Sequence, residues 1–402
     1  MKPWLVAAFL MTSACGNALS DSQGDAAVWV SVDGVTWSRV NHPALGGPGD
    51  QQMTGVTRFG DLLVAVGINR LGGEVDGRVW LSEDGEEWRV VTDADLGGSG
   101  EQWIWSVIEA GPGLIAVGEI IDDDDADAVV WTSGDGVEWN RVTDLELGGL
   151  GDQRLTAVIA IEGTIIAAGS VEGDAAIWMS PDGISWSKID DPGTFGGDGE
   201  QWISDLTTGG PGLVAVGADG TDAAVWASVD GSTWERIRNA DVLGGDGHQE
   251  ILSISSGEHG FIAVGSITTY EKIYFLGRGA ETTTEAAGWA SEDGLIWVRV
   301  KDPTSLEGVG NRSMYTVTMW GSTVVAAGID SADPRAGEIF DAPYDSGQDV
   351  DAAIWLSTDG RSWTKIRSPA LGGDDWQDIY DIVVFGDSLV AVGGDDRGST
   401  SD

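Results

Sequence analysis

Basic residues, cysteine and histidine are all scarce in this chain of 402 residues. It holds 21 Lys and Arg against 66 Asp and Glu, a formal net charge of −45. A surface this acidic repels phosphate backbones and anionic headgroups, which argues against nucleic acid as a partner and against a polybasic membrane patch. One cysteine permits no intramolecular disulfide. With only His42, His248 and His259 beside it, no zinc cage of the usual Cys/His kind can be assembled. Long apolar runs are missing too, so no segment is expected to span a bilayer. Hydrophobic residues still make up 42% of the chain, enough for a sizeable core despite the charge.

The amino terminus reads as an export signal. Lys2 precedes an apolar stretch from Trp4 to Met11, then small residues and the single cysteine, Thr12-Ser13-Ala14-Cys15. The cleavage region resembles a bacterial lipobox, with Thr12 where Leu is usual, so residues 1–15 are expected to be a signal peptide and Cys15 the lipidated residue. An ordinary secretory signal is the alternative. Residues 16–24 then form a flexible tether, and the protein is expected in the cell envelope or outside the cell. Any membrane contact would run through that anchor.

The body of the chain is repetitive. The pattern WxSxDGxxW begins at Trp29, Trp80, Trp131, Trp178, Trp226, Trp289 and Trp355, at intervals of 51, 51, 47, 48, 63 and 66 residues, and it accounts for fourteen of the twenty Trp. An apolar run ending in Ala-Val-Gly or Ala-Ala-Gly alternates with it, closing at Gly67, Gly118, Gly169, Gly217, Gly265, Gly328 and Gly393. Each unit reads as four short strands. In one unit they are Trp103 to Glu109 (A), Leu114 to Gly118 (B), Ala128 to Ser133 (C) and Glu138 to Thr143 (D), with Asp-Gly between C and D as a tight hairpin signal. Runs such as LIAVG and AVVWTS are apolar on both faces, as in a sheet covered on both sides.

Four-stranded sheets repeated at about 50 residues make a β-propeller. The chain starts with a C and D pair, Ala26 to Val40, and ends with an A and B pair, Asp378 to Gly393. Two halves therefore complete a seventh blade and remove the exposed edge. The expected fold is all-β: one seven-bladed propeller over 25–398, its last blade built from 376–398 plus 25–43, and a monomer.

At these residues the chain resembles a known family. The segments SVDGVTW, SEDGEEW, SGDGVEW, SPDGISW, SVDGSTW, SEDGLIW and STDGRSW look like Asp boxes, the repeats of bacterial neuraminidases, in a variant with one residue fewer between Asp and Gly. The resemblance implies a propeller and little about function, because Asp-box propellers include sialidases, other glycoside hydrolases, sorting receptors and photosystem assembly factors. The motif residues Ser31, Asp33, Trp37, Ser82, Asp84, Trp88, Ser133, Asp135, Trp139, Ser180, Asp182, Trp186, Ser228, Asp230, Trp234, Ser291, Asp293, Trp297, Ser357, Asp359 and Trp363 are expected to be structural: Ser and Asp bond the turn backbone and the indoles fill space between blades. A strict two-residue turn would pair Val30 with Trp37 and put Trp29 and Trp37 on opposite faces, one indole for each neighbouring blade.

Strands alternate in direction, so the Asp-Gly turns lie on one face of the ring and the B to C and D to A loops on the other, where function is expected. The D to A loops repeat as LGGPGDQ, LGGSGEQ, LGGLGDQ, FGGDGEQ and LGGDGHQ, with LEGVGNR and LGGDDWQ as degraded copies. They end in Gln51, Gln102, Gln153, Gln201, Gln249, Arg312 and Gln377 at the start of the innermost strand. These amides either ring the channel mouth or satisfy the loop backbone. Trp103, Trp202 and Trp376 adjoin them, as interblade packing or as a sugar platform. Two long B to C insertions carry Tyr270, Tyr274, Phe275, Arg335 and Tyr344, an aromatic and basic partner surface or loop packing.

Asp123, Asp125 and Asp127 alternate as calcium ligands do but lack the Gly and Glu of an EF-hand loop, so a solvated charge run is expected, with calcium as the alternative and no other cofactor. Sialidase chemistry requires an arginine triad and usually an Arg-Ile-Pro segment. That segment is absent, and only Arg312 and Arg154 lie near the expected channel entrance. Arg39, Arg141, Lys188, Arg236, Arg299 and Lys365 recur on the outermost strand, at the periphery. The expectation is therefore a binding or scaffold module for a protein or glycan, with a sialidase-like glycoside hydrolase as the alternative.

Overall fold

A computed structural model describes residues 23–111, 113–122, 125–149, 151–210, 212–271, 281–302, 304–308, 310–331, 350–373 and 376–397. They form seven antiparallel four-stranded sheets, the expected all-β ring. The innermost strands are Asp50–Phe59, Glu101–Ala110, Gln153–Ile161, Gln201–Gly209, His248–Gly257, Asn311–Trp320 and Trp376–Phe385. We number blades 1 to 7 by these strands. Each packs against the next and the seventh against the first, which closes the ring. Blade 7 joins the two chain ends: Gln23–Ser31 pairs with Ser388–Arg397 from Gln23↔Arg397 to Ser31↔Leu389. That strand begins at Gln23, inside the stretch read as tether. No helix among the described residues is long and apolar enough to cross a membrane.

Between successive sheets lie seven separate apolar cores, each drawing side chains from two blades. Both motif tryptophans of a blade enter the same core. Trp131 and Trp139 sit together with blade 1 residues Val64, Val66 and Leu81, and Trp29 and Trp37 sit together against blade 6. The expectation of one indole per neighbour is therefore corrected. Its premise was a two-residue turn, but Ser82 pairs with Trp88 and Ser133 with Trp139, so the loop is five residues long and both indoles fall on one face.

The wider loop follows from its hydrogen bonds. Ser133 Oγ accepts the Gly136 amide at 2.9 Å, and Asp135 Oδ1 accepts the amides of Val137 at 2.8 Å and Glu138 at 2.9 Å. Only the glycine takes positive φ, 78° at Gly136, where a tight type I′ turn would need it at both residues. The first Trp of every blade donates its indole N–H to a carbonyl of the preceding blade's D to A turn, as from Trp131 to Asp95 at 2.8 Å and from Trp29 to Ala370 at 2.7 Å. In three of these turns an aspartate ties the next blade too: Asp93, Asp144 and Asp302 accept the amides of Trp139, Trp186 and Trp363. Each such bond is worth about 1 kcal/mol net.

The glycine of the Ala-Val-Gly run has a geometric cause. Every innermost strand carries a β-bulge at the same place, the register slipping between Ile104 and Ser106 in blade 2 and between Ile379 and Asp381 in blade 7. The bulge turns the carbonyl two residues before it onto the second strand. At Gly118 a Cβ would overlap the Trp103 carbonyl, and the other six glycines meet the equivalent oxygen. Of the basic residues expected at the periphery, Arg141, Lys188 and Arg299 are exposed on the outer strands, whereas three others reach inward: Arg39 and Arg236 lie 5.4 Å over Trp29 and Trp226 and pair with Asp395 and Asp219 at 2.5 Å, and Lys365 pairs with Asp330.

Candidate active site

The inner strands begin at the loop-bearing end of the ring. The six glutamines that open them are buried. Where their bonds are seen, they turn back into the loops: Gln102 Nε2 donates to the carbonyls of Ser99 and Gly100 at 2.8 and 3.0 Å, and Gln201 Nε2 to the Gly199 carbonyl at 2.8 Å and Asp219 Oδ1 at 2.7 Å. Arg312 fills the same slot, its Nη1 donating to the Glu307 carbonyl at 2.6 Å and its Nε to Asp330 at 2.7 Å.

The next position and the bulged residue two further on differ from blade to blade. The first holds Gln52, Trp103, Arg154, Trp202, Glu250, Ser313 and Asp378; the second holds Thr54, Trp105, Thr156, Ser204, Leu252, Tyr315 and Tyr380. All the bulged residues except Thr54 are half-buried, as a lining of the axis would be. The bulge aims a side chain that regular alternation would turn elsewhere.

Blade 7 supplies the densest chemistry. Asp378 is buried, its Oδ1 accepting the Gly394 amide at 2.8 Å and its Oδ2 the Trp376 indole N–H at 3.2 Å. The Tyr380 hydroxyl also bonds this carboxyl. Burial outweighs these bonds and, with the charge of nearby Asp50, pushes Asp378 up to about 7. Tyr380 stacks on Tyr315 with centroids 5.4 Å apart and planes 9° off parallel, and accepts from Gln52 Nε2 of blade 1 at 3.1 Å. Asp50 is ion-paired with Arg70 at 2.9 Å, and burial raises its pKa against that pairing.

Around the axis, Arg70 lies 5.6 Å over Trp103, which stacks on Trp105 at 5.2 Å. Glu119, fully buried, accepts from Trp105 Nε1 at 3.2 Å and from Arg154 Nε at 2.8 Å. Glu250 is pushed by burial up to about 7 and accepts from Ser266 at 3.0 Å; His248 Nε2 lies 3.9 Å from its other oxygen, and Trp202 stacks on that imidazole at 6.1 Å.

One step deeper, Asp381 accepts the Val56 amide of blade 1 at 2.8 Å and the Thr316 hydroxyl of blade 6 at 3.2 Å. Asp205 accepts the amide of Ile254 and the hydroxyl of Ser253, both at 2.9 Å. Desolvation raises both acids to about 6, and their hydrogen bonds tie neighbouring blades together.

Of the expected site residues, Trp202, Trp376 and Arg154 lie at the start of their inner strands, Arg312 takes the glutamine slot of the blade 6 inner strand, and Trp103 is buried against Ile68 and Val75 of blade 1, as interblade packing. Tyr270 is exposed at the outer end of a strand, paired with Thr282. Cys15, Tyr274, Phe275, Arg335, Tyr344 and Asp123 lie outside the described residues. Asp127 accepts the Gly149 amide at 3.1 Å, a contact repeated by Asp351 and Gly373, and Asp125 is exposed. Among the described residues no three His, Cys, Asp or Glu are grouped to hold a metal. Sequence reading missed Asp378, Tyr380, Tyr315, Trp105, Glu119 and Glu250. Aligning the seven strands on their glutamines would have exposed the two columns that vary.

No protein-family model matches the chain, and no curated protein does. Solved structures do. The chain is similar to a putative 6-phosphogluconolactonase from Bacteroides uniformis (12% identity, 90% of this chain and 97% of that one, TM-score 0.49), to an α-L-arabinofuranosidase from Fusarium graminearum (12%, 83% and 98%, 0.44) and to a Bombyx mori family-32 β-fructofuranosidase (11%, 94% and 94%, 0.42). These likenesses are of fold. Glycoside hydrolases recur among them, and the expectation of a non-enzymatic binding or scaffold module is not upheld; a likeness this distant carries no reaction over to this chain.

Proposed function

We propose that the protein is a carbohydrate-active enzyme that hydrolyses glycosidic bonds at the loop-bearing end of the axis, with Asp378 as general acid. The observation that carries this reading is a buried carboxyl that keeps its proton near neutral pH beside the half-buried Tyr315 and Tyr380 rings. Glycoside hydrolysis needs such an acid to protonate the leaving oxygen, together with a second, ionised carboxylate. Asp50, paired with Arg70, is that carboxylate. As the C–O bond breaks, the proton of Asp378 passes to the departing oxygen; water adds to the sugar carbon and Asp50 takes its proton. Aromatic faces hold sugar rings by apolar contact. Export, lipidation at Cys15 and membership of the Asp-box class are proposals that accord with an enzyme acting on external glycans.

The test is a panel of nitrophenyl pyranosides and arabinofuranosides. Turnover is expected, falling as pH rises through about 7 where Asp378 loses its proton. Asp378→Asn should lower kcat by about 10²- to 10⁴-fold with the thermal melt retained. No turnover across the panel, or an undiminished Asp378→Asn enzyme, overturns the proposal.

A further inference from the structure

Aspartate followed by glycine is a chemically labile pair, because glycine has no side chain to shield its amide nitrogen. That nitrogen attacks the carboxyl carbon of the protonated acid; the amide hydrogen leaves with the carboxyl hydroxyl as water, and a five-membered imide closes. Water then reopens the ring at either carbonyl. One opening restores aspartate, and the other leaves isoaspartate, whose main chain runs through the β-carbon.

The chain carries eleven Asp-Gly pairs, and the fold treats them unequally. Seven lie in the C to D turns. There Ser Oγ accepts the glycine amide at 2.8 to 2.9 Å, a buried bond in every copy, so the nitrogen that would attack is held away from the carboxyl. Asp Oδ1 accepts the two following amides at 2.6 to 2.9 Å. Those amides also hold all seven carboxyls below their ordinary range, in the unreactive ionised form. Two further pairs are fixed in other ways. Asp76 and Gly77 lie within a paired strand, opposite Asn69 and Ile68. Gly220 donates its amide to the Glu200 carbonyl at 2.7 Å, while Asp219 accepts from Gln201 and Arg236.

The last two pairs, Asp198-Gly199 and Asp246-Gly247, occupy the same place in the D to A loops that lead into blades 4 and 5. Both aspartates are exposed, as is Gly199. Among the described residues neither carboxylate accepts a hydrogen bond and neither glycine amide donates one. Gly247 has less room, since a Cβ there would meet the Thr268 carbonyl at 2.5 Å.

We propose that Asp198-Gly199 is the principal site at which this protein ages, by isoaspartate formation, with Asp246-Gly247 second, and that the Ser and Asp of each C to D turn shield its own Asp-Gly bond. The damage would reach the ring. Gln201 Nε2 donates to the Gly199 carbonyl at 2.8 Å, and Gln201 opens the blade 4 inner strand, so an extra methylene in the main chain just ahead of it displaces that carbonyl and frees the amide.

The test holds the full chain for weeks at about 37 °C and about pH 6, folded or in urea, then locates isoaspartate by methyltransferase labelling and peptide mapping. In urea all eleven pairs are expected to convert at similar rates. In the folded chain Asp198 should convert at least about tenfold faster than any turn aspartate, with Asp246 between them, because several hydrogen bonds must break before a turn can react. Ser180→Ala should speed conversion at Asp182 by about fivefold or more and leave the other six turns as internal controls. A turn aspartate that converts as fast as Asp198 overturns the proposal. So does an Asp198 that stays intact in the folded chain while the urea sample converts. Unchanged conversion at Asp182 in Ser180→Ala would overturn the shielding role of the serine.

Discussion

The two ends of the ring are built by opposite rules. At the turn end, seven loops repeat the same bonds: Ser Oγ takes the glycine amide and Asp Oδ1 the two amides after it. At the axial end, the backbone still repeats, with one bulge per blade and one glycine facing it, but the side chains at the bulge run from Thr54 through Leu252 to Tyr380. A closed ring demands identical joints and places no demand on what projects into its axis. Repetition within this chain therefore marks structure, and departure from repetition marks the place where chemistry is free to differ.

If that division holds, the sharpest break is a change that affects one end in activity only. Asp378→Asn, with its expected loss of about 10²- to 10⁴-fold in kcat, should leave urea unfolding nearly untouched. Gly118→Ala is the converse. Its new Cβ overlaps the Trp103 carbonyl, so the bulge has to flatten or the strands part. A loss of about 3 kcal/mol is expected from equilibrium unfolding. An unchanged stability for Gly118→Ala would show that the bulge is incidental to the ring.

The repeated end was legible and the variable end was not. Trp29, Asp33, Gly34 and their copies announced seven blades, and the half-blade at each terminus announced the closure that Gln23–Ser31 and Ser388–Arg397 make. Local spacing misled only where Ser31 and Asp33 both bond the turn, because two side chains accepting backbone amides require a wider loop than Asp-Gly suggests. The axial cluster depends on neighbours distant in sequence. Gln52 and Tyr380 are 328 residues apart, so no local pattern pairs them. Glycine at 118 was visible as a repeat, but its reason, a carbonyl turned by a bulge in the adjacent strand, is a property of three dimensions.

Acid titration should separate the two ends by sign. Backbone amides pull Asp33 and Asp359 from an ordinary 3.8 down to about 2, so their contribution is complete above about 4 and is lost as pH falls through 2. Asp205 and Asp381 are displaced the other way, to about 6. Between about 4 and 6 the folded protein holds protons that the unfolded chain has released, so stability declines as pH rises through that window. Calorimetric Tm against pH should then rise between about 2 and 4 and fall from about 4 to 7, Asp378 and Glu250 carrying the limb past 6. Asp359→Asn should flatten the first limb, and Asp381→Asn the second. A falling limb unaltered in both Asp205→Asn and Asp381→Asn would remove these acids from the account.

The smallest expected effect tests how uniform the turn end is. Trp139 donates its indole N–H to the Gly136 carbonyl at 3.0 Å, and five other second tryptophans make the same bond. Trp363 is equally buried, yet its Nε1 meets no partner among the described residues. Replacement by Phe removes the donor in both places and a similar area of ring. At Trp139 it also leaves the Gly136 carbonyl unpaired, whereas at Trp363 it removes a group that is costly to bury alone. Trp139→Phe should therefore destabilise by about 1 kcal/mol more than Trp363→Phe in urea unfolding. Equal losses would mean that the indole bond contributes nothing and that the seven turns are held by Ser and Asp alone.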